Sequence, residues 1–417
     1  MRKITSSGLA TLLLAGLCAG PAVAAPILTI QKYIPVPADR ANVQPGGAFS
    51  SFDISFFDPV TGNDYIADRS NASVDIFSGS SLSFLGRATG FTGQAATTSL
   101  SGADGVVTVT SGGTTTLYAG DGNSTLKVFN ATNPAAPSLL QSISTGGSFR
   151  VDEMAYSPMT HQVLAANNAD SPAYGNLFNT TNGTSPVTLL KSPITIAGQP
   201  AAGGMEQPAW DKNSGTFFVS IPQLTSSATD PGGLAEIDTT GKVLRTISFA
   251  ALGITSCAPT GLAVGRSGNL MVGCGNVGAA AILVSPAGAG SIVKTFAGLG
   301  GTDELWYDPT TNKFYVTGNN GTNGTRFFDV VTDDAGGSII TQTVSLPITT
   351  SAHSIAVDPF NGDVFVPLAG TGAVNPCPTS LGCIAVYGVP EPDSLPMLMV
   401  GAVALLGFAV QRRQRNT

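Results

Sequence analysis

A strand-and-turn unit recurs about every 50 residues along the chain, and nothing else in the sequence restricts the fold as tightly. It reads Asp53-Ile-Ser-Phe-Phe-Asp58-Pro59, Asp152-Glu-Met-Ala-Tyr-Ser157-Pro158, Glu206-Gln-Pro-Ala-Trp-Asp211 and Thr260-Gly-Leu-Ala-Val-Gly265. It continues as Asp303-Glu-Leu-Trp-Tyr-Asp308-Pro309 and His353-Ser-Ile-Ala-Val-Asp358-Pro359. A weaker copy, Gly105-Val-Val-Thr-Val-Thr110, fills the first gap, so that seven copies follow one another at steps of 43 to 54 residues. After each unit comes a turn rich in Thr, Asn and Gly, such as Thr61-Gly62-Asn63 or Asn361-Gly362, which suits hairpin geometry. A second strand follows, as in Tyr65-Ile66-Ala67 or Phe314-Tyr315-Val316, then a third such as Val74, Ile76 and Phe77. Most copies add a fourth, as in Ile292-Val293 to Phe296. Residues 26 to 388 carry no amphipathic helix pattern. Four antiparallel strands repeated seven times predict an all-β fold, a seven-bladed β-propeller.

The last copy stops at its third strand, Ile384-Ala-Val-Tyr387, while Ile27-Leu28-Thr29-Ile30 is a surplus strand near the start. Closure of the ring by this N-terminal strand is therefore expected, because it pairs an edge that would otherwise be open to aggregation. A pair of β-sandwiches, the competing fold, would not need such a match. The units Ala67-Asp68-Arg69-Ser70-Asn71-Ala72-Ser73-Val74 and His353 to Pro359 resemble the NHL and YVTN-type propeller repeats of exported proteins. That resemblance covers most of the body and implies architecture. Propellers of this kind include binders, scaffolds, lyases and lactonases, so the likeness fixes no activity.

The two ends read as addresses. Arg2 and Lys3, the apolar stretch Leu9 to Leu17 and the small residues Ala22-Val23-Ala24 predict a secretory signal peptide over residues 1–24. The alternatives, a buried helix or lipidation at Cys18, fit less well beside Pro21 and the bulky Leu17. At the other end stand Val389-Pro390-Glu391-Pro392, an uncharged run from Leu395 to Val410, then Arg412, Arg413 and Arg415. As a helix that run would span ~24 Å, just under the ~30 Å hydrocarbon core, with the arginines held on the cytoplasmic side. The order and spacing of residues 389–417 resemble the PEP-CTERM sorting signal of Gram-negative bacteria. The resemblance implies a C-terminal transmembrane sorting helix that holds the precursor in the inner membrane, processing by an exosortase, and delivery to the cell surface or extracellular matrix, with a link to exopolysaccharide and biofilm. A plain membrane anchor is the simpler reading. The body, residues 25–388, is the propeller.

Charge excludes one class of partner. The chain carries a formal charge of −7, and the two ends hold five of its basic residues and two of its acids, which leaves the body near −10. Without a basic stripe, nucleic acid is not an expected partner. Cys18 leaves with the signal, and an even number of body cysteines in an exported chain predicts two disulfides. Of the three pairings, the local one, Cys257–Cys274 and Cys377–Cys383, is expected; a zinc site has the wrong spacing and only two histidines to draw on.

The start of the recurring strand faces the axis of a propeller. That position reads Asp53, Gly105, Asp152, Glu206, Thr260, Asp303 and His353, with Asp104, Glu153, Gln207 and Glu304 beside them. Carboxylates converging at ~10 Å or less repel unless they are protonated or neutralised by a cation, and an oxygen-rich set suits Ca²⁺ or another divalent ion. Asp53, Asp152, Glu153, Glu206, Asp303 and Glu304 are thus candidate metal ligands; caps for turns or solvated channel walls are the structural alternative. Asp58, Asp308 and Asp358, each before Pro, read as turn chemistry. Tyr156, Trp210, Trp306, Tyr307 and Phe57 read as packing between blades, and His161 as an exposed turn residue. No GxSxG elbow, Walker loop or dinucleotide fingerprint occurs. Three functions follow: a binding module for a glycan or protein; a metal-dependent lyase or lactone hydrolase with His353 as general acid or base; or a purely structural matrix protein.

Overall fold

The computed structural model describes residues 27–319, 326–333, 337–347, 353–370, 376–378 and 381–390. The signal segment 1–24 and the residues Glu391, Pro392, Arg412, Arg413 and Arg415 lie outside the described residues, with Val389 and Pro390 at their edge. Among the described residues no helix is long and apolar enough to cross a membrane.

Seven four-stranded antiparallel sheets make the body. Blade 1 runs Ser55–Asp58, Asn63–Asp68, Ser73–Ser78 and Ser83–Thr89 from the inside outward. The inner strands of blades 2 to 6 are Val106–Ser111, Met154–Ser157, Pro208–Asp211, Pro259–Val264 and Leu305–Asp308. Blade 7 has Ala356–Val357, Val364–Ala369 and Gly382–Gly388, and its outermost strand is Thr29–Pro35. Each inner strand touches the next, and Ala356–Val357 touches Ser55–Asp58, so the ring is closed. The closing strand is longer than the expected Ile27–Ile30 and pairs Thr29 with Gly388, Ile30 with Tyr387 and Ile34 with Ile384. Leu28 precedes it and clips onto blade 6, its N–H donating to Gln342 Oε1 (3.0 Å) and its C=O accepting from Gln342 Nε2 (3.1 Å).

Alternation along each strand sends apolar side chains to both faces, since every sheet is sandwiched between two others. The core is accordingly divided into seven clusters, one at each blade interface. Phe57, Phe77, Phe217, Phe218 and Phe314 are almost wholly buried there, each contributing roughly 1.5–3 kcal/mol. The repeated acid at the end of the inner strand shapes the hairpin that follows. Asp58 Oδ1 accepts from the Val60 N–H (2.8 Å), Asp308 Oδ1 from Thr310 (2.8 Å) and Asp358 Oδ1 from Phe360 (2.9 Å). Both expected disulfides are present. Cys257–Cys274 fastens the entry to blade 5 onto its second strand, with Cα atoms 4.5 Å apart, and Cys377–Cys383 spans 5.5 Å in blade 7.

Candidate functional site

The inner strands all run the same way along the axis, so residues at equivalent positions form layers. The first layer, at the strand starts, gathers Asp53, Asp152, Glu206, Asp303 and His353, and Asp104 joins them. The expected position in blade 2 is off by one residue: the Asp104 N–H donates to the Gly120 carbonyl (3.1 Å) as that of Asp53 does to Ala67 (2.9 Å) and that of Asp152 to Ala166 (2.7 Å), so Asp104 and not Gly105 is in register with the first layer. Donor atoms of Asp53, Asp104 and Asp152 lie within 4.8 Å of one another, as do those of Asp53, Asp303 and His353.

Five acids in one layer require positive charge, and two arginines supply it. Arg69, from the turn between the second and third strands of blade 1, reaches in and donates through Nη2 to Asp53 Oδ2 (2.5 Å) and through Nε to Asp104 Oδ1 (2.6 Å). Its Nη1 donates to the Phe52 carbonyl at 3.3 Å. Arg150, two residues before Asp152, holds that carboxylate at 2.7 Å and donates through Nε to Asn168 Oδ1 at 3.1 Å. Asn168 in turn donates to Glu206 Oε2 at 3.2 Å. Burial disfavours both guanidinium charges, yet the surrounding carboxylates outweigh it and hold both pKa values above the ordinary arginine value. Neither arginine stands in the repeated strand-and-turn unit, which is why a reading confined to that unit misses them.

Burial drives the carboxyls the other way. It lifts Asp104 to about 7 against the pull of Arg69, and Glu206 to about 7 against the pull of Arg150. Asp152 is also pushed well up by burial, with Arg150 opposing. Asp303 is the exception: burial would raise it, but the hydrogen bond and charge of His353 bring it below the ordinary value. His353 Nδ1 stands 2.9 Å from Asp303 Oδ2, and Asp303 keeps 37% of its side-chain surface open at the channel mouth. The imidazole stacks on Phe52 at a centroid distance of 4.9 Å and an interplanar angle of 15°. The six acids named as ligands are thus not one shell. Asp53, Asp152, Glu206 and Asp303 share the first layer with the arginines, while Glu153 and Glu304 lie one residue deeper.

In that second layer Glu304 ties three blades together. Its Oε2 accepts from the N–H groups of Ser55 (3.0 Å) and Ile355 (3.1 Å) and from the Ser354 hydroxyl. Gln207 Oε1 accepts from the Leu262 N–H at 2.5 Å, joining blades 4 and 5. Glu153 has no such anchor: it is 2% exposed, and its Oε2 finds no partner among the described residues. Burial first, then the neighbouring acids, pushes Glu153 well above the carboxyl range.

Below Glu153 and Glu304 the channel widens into a cavity of about 450 Å³ that reaches the exposed Pro158 and Pro309 at the far rim. Trp210, Trp306, Tyr156 and Tyr307, expected as blade packing, do pack against the interface clusters, but all four are half-buried and also line this cavity. Phe57 alone of that group is wholly buried. His161, expected to be simply exposed, holds a left-handed backbone (φ 56°) and places Nδ1 2.9 Å from the Tyr156 hydroxyl.

No family model matches the chain, and no curated protein matches it. Solved structures do. The β-propeller domain of Myceliophteria thermophila Cps50 (Swd1) superposes with a TM-score of 0.58 at 12% identity, over 87% of this chain and all of that one. Chaetomium thermophilum Raptor gives 0.56 at 12% identity over 88% of this chain, which spans 29% of Raptor's length. Kuenenia stuttgartiensis hydrazine synthase gives 0.55 at 10% identity, over 82% of this chain and all of that one. At such identities the likeness concerns architecture alone, and the architecture is that of a seven-bladed β-propeller.

Proposed function

We propose that the protein is an exported, non-enzymatic binding or scaffold module, sorted to the cell surface or extracellular matrix, that engages a glycan or protein partner. One observation carries the binding reading. The residues at the channel mouth that look reactive are committed to one another: Arg69 holds Asp53 and Asp104, Arg150 holds Asp152, Asn168 donates to Glu206, and His353 is paired with Asp303 and stacked on Phe52. A general acid or base needs a free face toward substrate, and a metal needs carboxylates that no guanidinium already occupies. A rigid ring with variable loops provides a binding surface without reactive chemistry.

The address rests on the sequence of the ends: the n-region, apolar core and Ala22-Val23-Ala24 of residues 1–24, and the Pro390-Glu391-Pro392, apolar run and arginines of residues 389–417. In this reading an exosortase removes the tail near the motif, after the helix has held the precursor in the inner membrane, and the body joins an exopolysaccharide-rich matrix. The experiment is expression in a PEP-CTERM-sorting Gram-negative host, followed by mass spectrometry of the extracellular fraction. The mature mass lacks residues 1–24 and those beyond the motif, and Glu391→Ala retains the tail in the membrane fraction. Recovery of full-length protein from the cytosol overturns the address.

A further inference from the structure

Both ends of the body leave it on the same face. The inner strands run one way, so every turn that follows one lies opposite the acidic mouth. In blade 7 the third strand, antiparallel to the second, runs parallel to the inner one, so Gly382–Gly388 ends on this far face. Thr29 pairs with Gly388, and the closing strand therefore starts there too. The same face carries Ile27, Val60 and Phe360, which are 65%, 68% and 77% exposed, with the exposed Met159 on a further turn. Part of this apolar surface is gathered. Ile27, Phe360 and Val389 rim one groove of about 470 Å³ between blades 6 and 7, and the one charged residue on its wall, among those described, is Lys313. The Leu28 clip onto Gln342 fixes Ile27 at that rim. Apolar side chains that are both exposed and clustered mark a surface that something covers.

The sequence beyond Val389 says what covers it. Pro390 is followed by Glu391-Pro392-Asp393-Ser394 and then by the uncharged run Leu395 to Val410. The five steps from Pro390 to Leu395 reach at most ~18 Å, so a run set in a bilayer keeps this face, and not the acidic mouth, beside it. We propose that in the precursor this face lies on the bilayer, with Phe360, Ile27 and Val60 in the interfacial layer and Lys313 reaching the lipid phosphates. The proposal rests on the membrane reading of the tail given above and adds which face of the body meets the lipid. Rings and aliphatic side chains beside a lysine suit the depth of the headgroups. The body is near −10, so attraction to anionic lipid does not drive the contact, and a zwitterionic surface suffices. Three side chains make a weak contact on their own, since even a myristoyl chain binds a membrane only marginally. A short tether raises the effective concentration to about the millimolar range, which holds a weak contact closed. Removal of the tail therefore also frees the patch from the membrane.

The precursor, residues 25–417, is reconstituted into phosphatidylcholine vesicles. Its four cysteines are held in disulfides, so one introduced cysteine takes an environment-sensitive fluorophore selectively. Phe360→Cys puts the label on the proposed face. Val43→Cys puts it on an apolar position, 81% exposed, in the loop that leads from the closing strand to the acidic mouth. The label at 360 is expected to emit at shorter wavelength and to lose most of its emission when the lipids are brominated, at high salt as at low. The label at 43 should do neither. Ile27→Asp with Val60→Asp, both exposed and so expected to melt like the parent, brings the quenching at 360 down to that at 43. The two label positions decide the matter if that pair does not fold. Equal quenching at both positions, quenching at 360 unmoved by the folded pair, or none at 360 in a precursor that floats with the vesicles overturns the docking and leaves the tail reading standing. A shift at 360 without quenching overturns it too, because protein then covers the groove, either a second copy or this chain's own tail. A precursor that does not float removes the tail reading and the docking together.

Discussion

Ile34 and Ile384 stand opposite each other across the seam that closes the ring, 2% and 0% exposed. Near them Gln31 Nε2 donates to the Gly388 carbonyl at 3.1 Å, a contact between residues 357 apart in the chain. The seam is therefore an ordinary antiparallel strand pair that happens to join the two ends of the body. Ile34→Ala is expected to destabilise the body by about 2–5 kcal/mol through the cavity it leaves. Deleting residues 27–35 should expose the Gly382–Gly388 edge and produce aggregation. Denaturant unfolding and light scattering check both; a deletion variant as stable and monodisperse as the parent would sink the seam's role.

Arg69 is expected to be the most sensitive charged position. Arg69→Met leaves Asp53 and Asp104 buried without their cation, at a cost of about 3–5 kcal/mol. Ca²⁺ should raise the melting temperature of this variant and leave that of the parent unchanged, because Arg69 already holds Asp53 and Asp104 in the parent. A parent protein whose melting rises with Ca²⁺ and falls with chelator would show that the arginines do not fill the cation's role.

The buried acids predict an unusual pH response. Glu206 and Asp104 hold their protons up to about 7 in the folded state, against roughly 4 in the unfolded chain. Their contribution is complete below pH ~4 and is lost as pH rises toward 7, because the native state then binds protons that the unfolded state has released. Glu153, Glu304 and the buried Asp64 have the same sign, while Asp303, held low by His353, has the opposite one. The slope is about 1.4 kcal/mol per pH unit for each such proton. Thermal melting should be higher at pH 5 than at pH 7.5; the reverse order would contradict the protonated interior.

Reduction offers an independent check on blade 5. Cys257–Cys274 closes a loop with a sequence separation of 17, and its loss should cost about 3 kcal/mol. The Cys377–Cys383 bridge, with a separation of 6, should cost less. Thiol titration of the unfolded mature protein should find free thiols only after reductant; free thiols before it would refute both bridges.

How much of this the chain announces depends on periodicity. The Asp-Pro turns, the alternating apolar strands and the shortage after Tyr387 all repeat or complete a repeat, so the blade number, the seam and the disulfide pairs are legible from residue order. Arg69 and Arg150 obey no period. They enter from a turn and from a linker, and their pairing with Asp53, Asp104 and Asp152 exists only once the ring brings loops of different blades to one axis. Glu153 and Glu304 adjoin Asp152 and Asp303 in sequence and so read as part of one ring, yet the geometry separates them into another layer. Trp210 and Trp306 read as packing because size alone is visible in a sequence; that one side of each faces the channel is a matter of curvature.

The pairing of Thr29 with Gly388 also sets a timetable. The strand made first has no neighbour on its own blade until the final stretch of the body exists, so blades 1 to 6 can assemble while the opening strand waits. Long-range pairings of this kind slow folding. A chain that crosses a membrane start-first would keep that opening strand unpaired throughout its passage and lock the circle only after residue 388 has emerged.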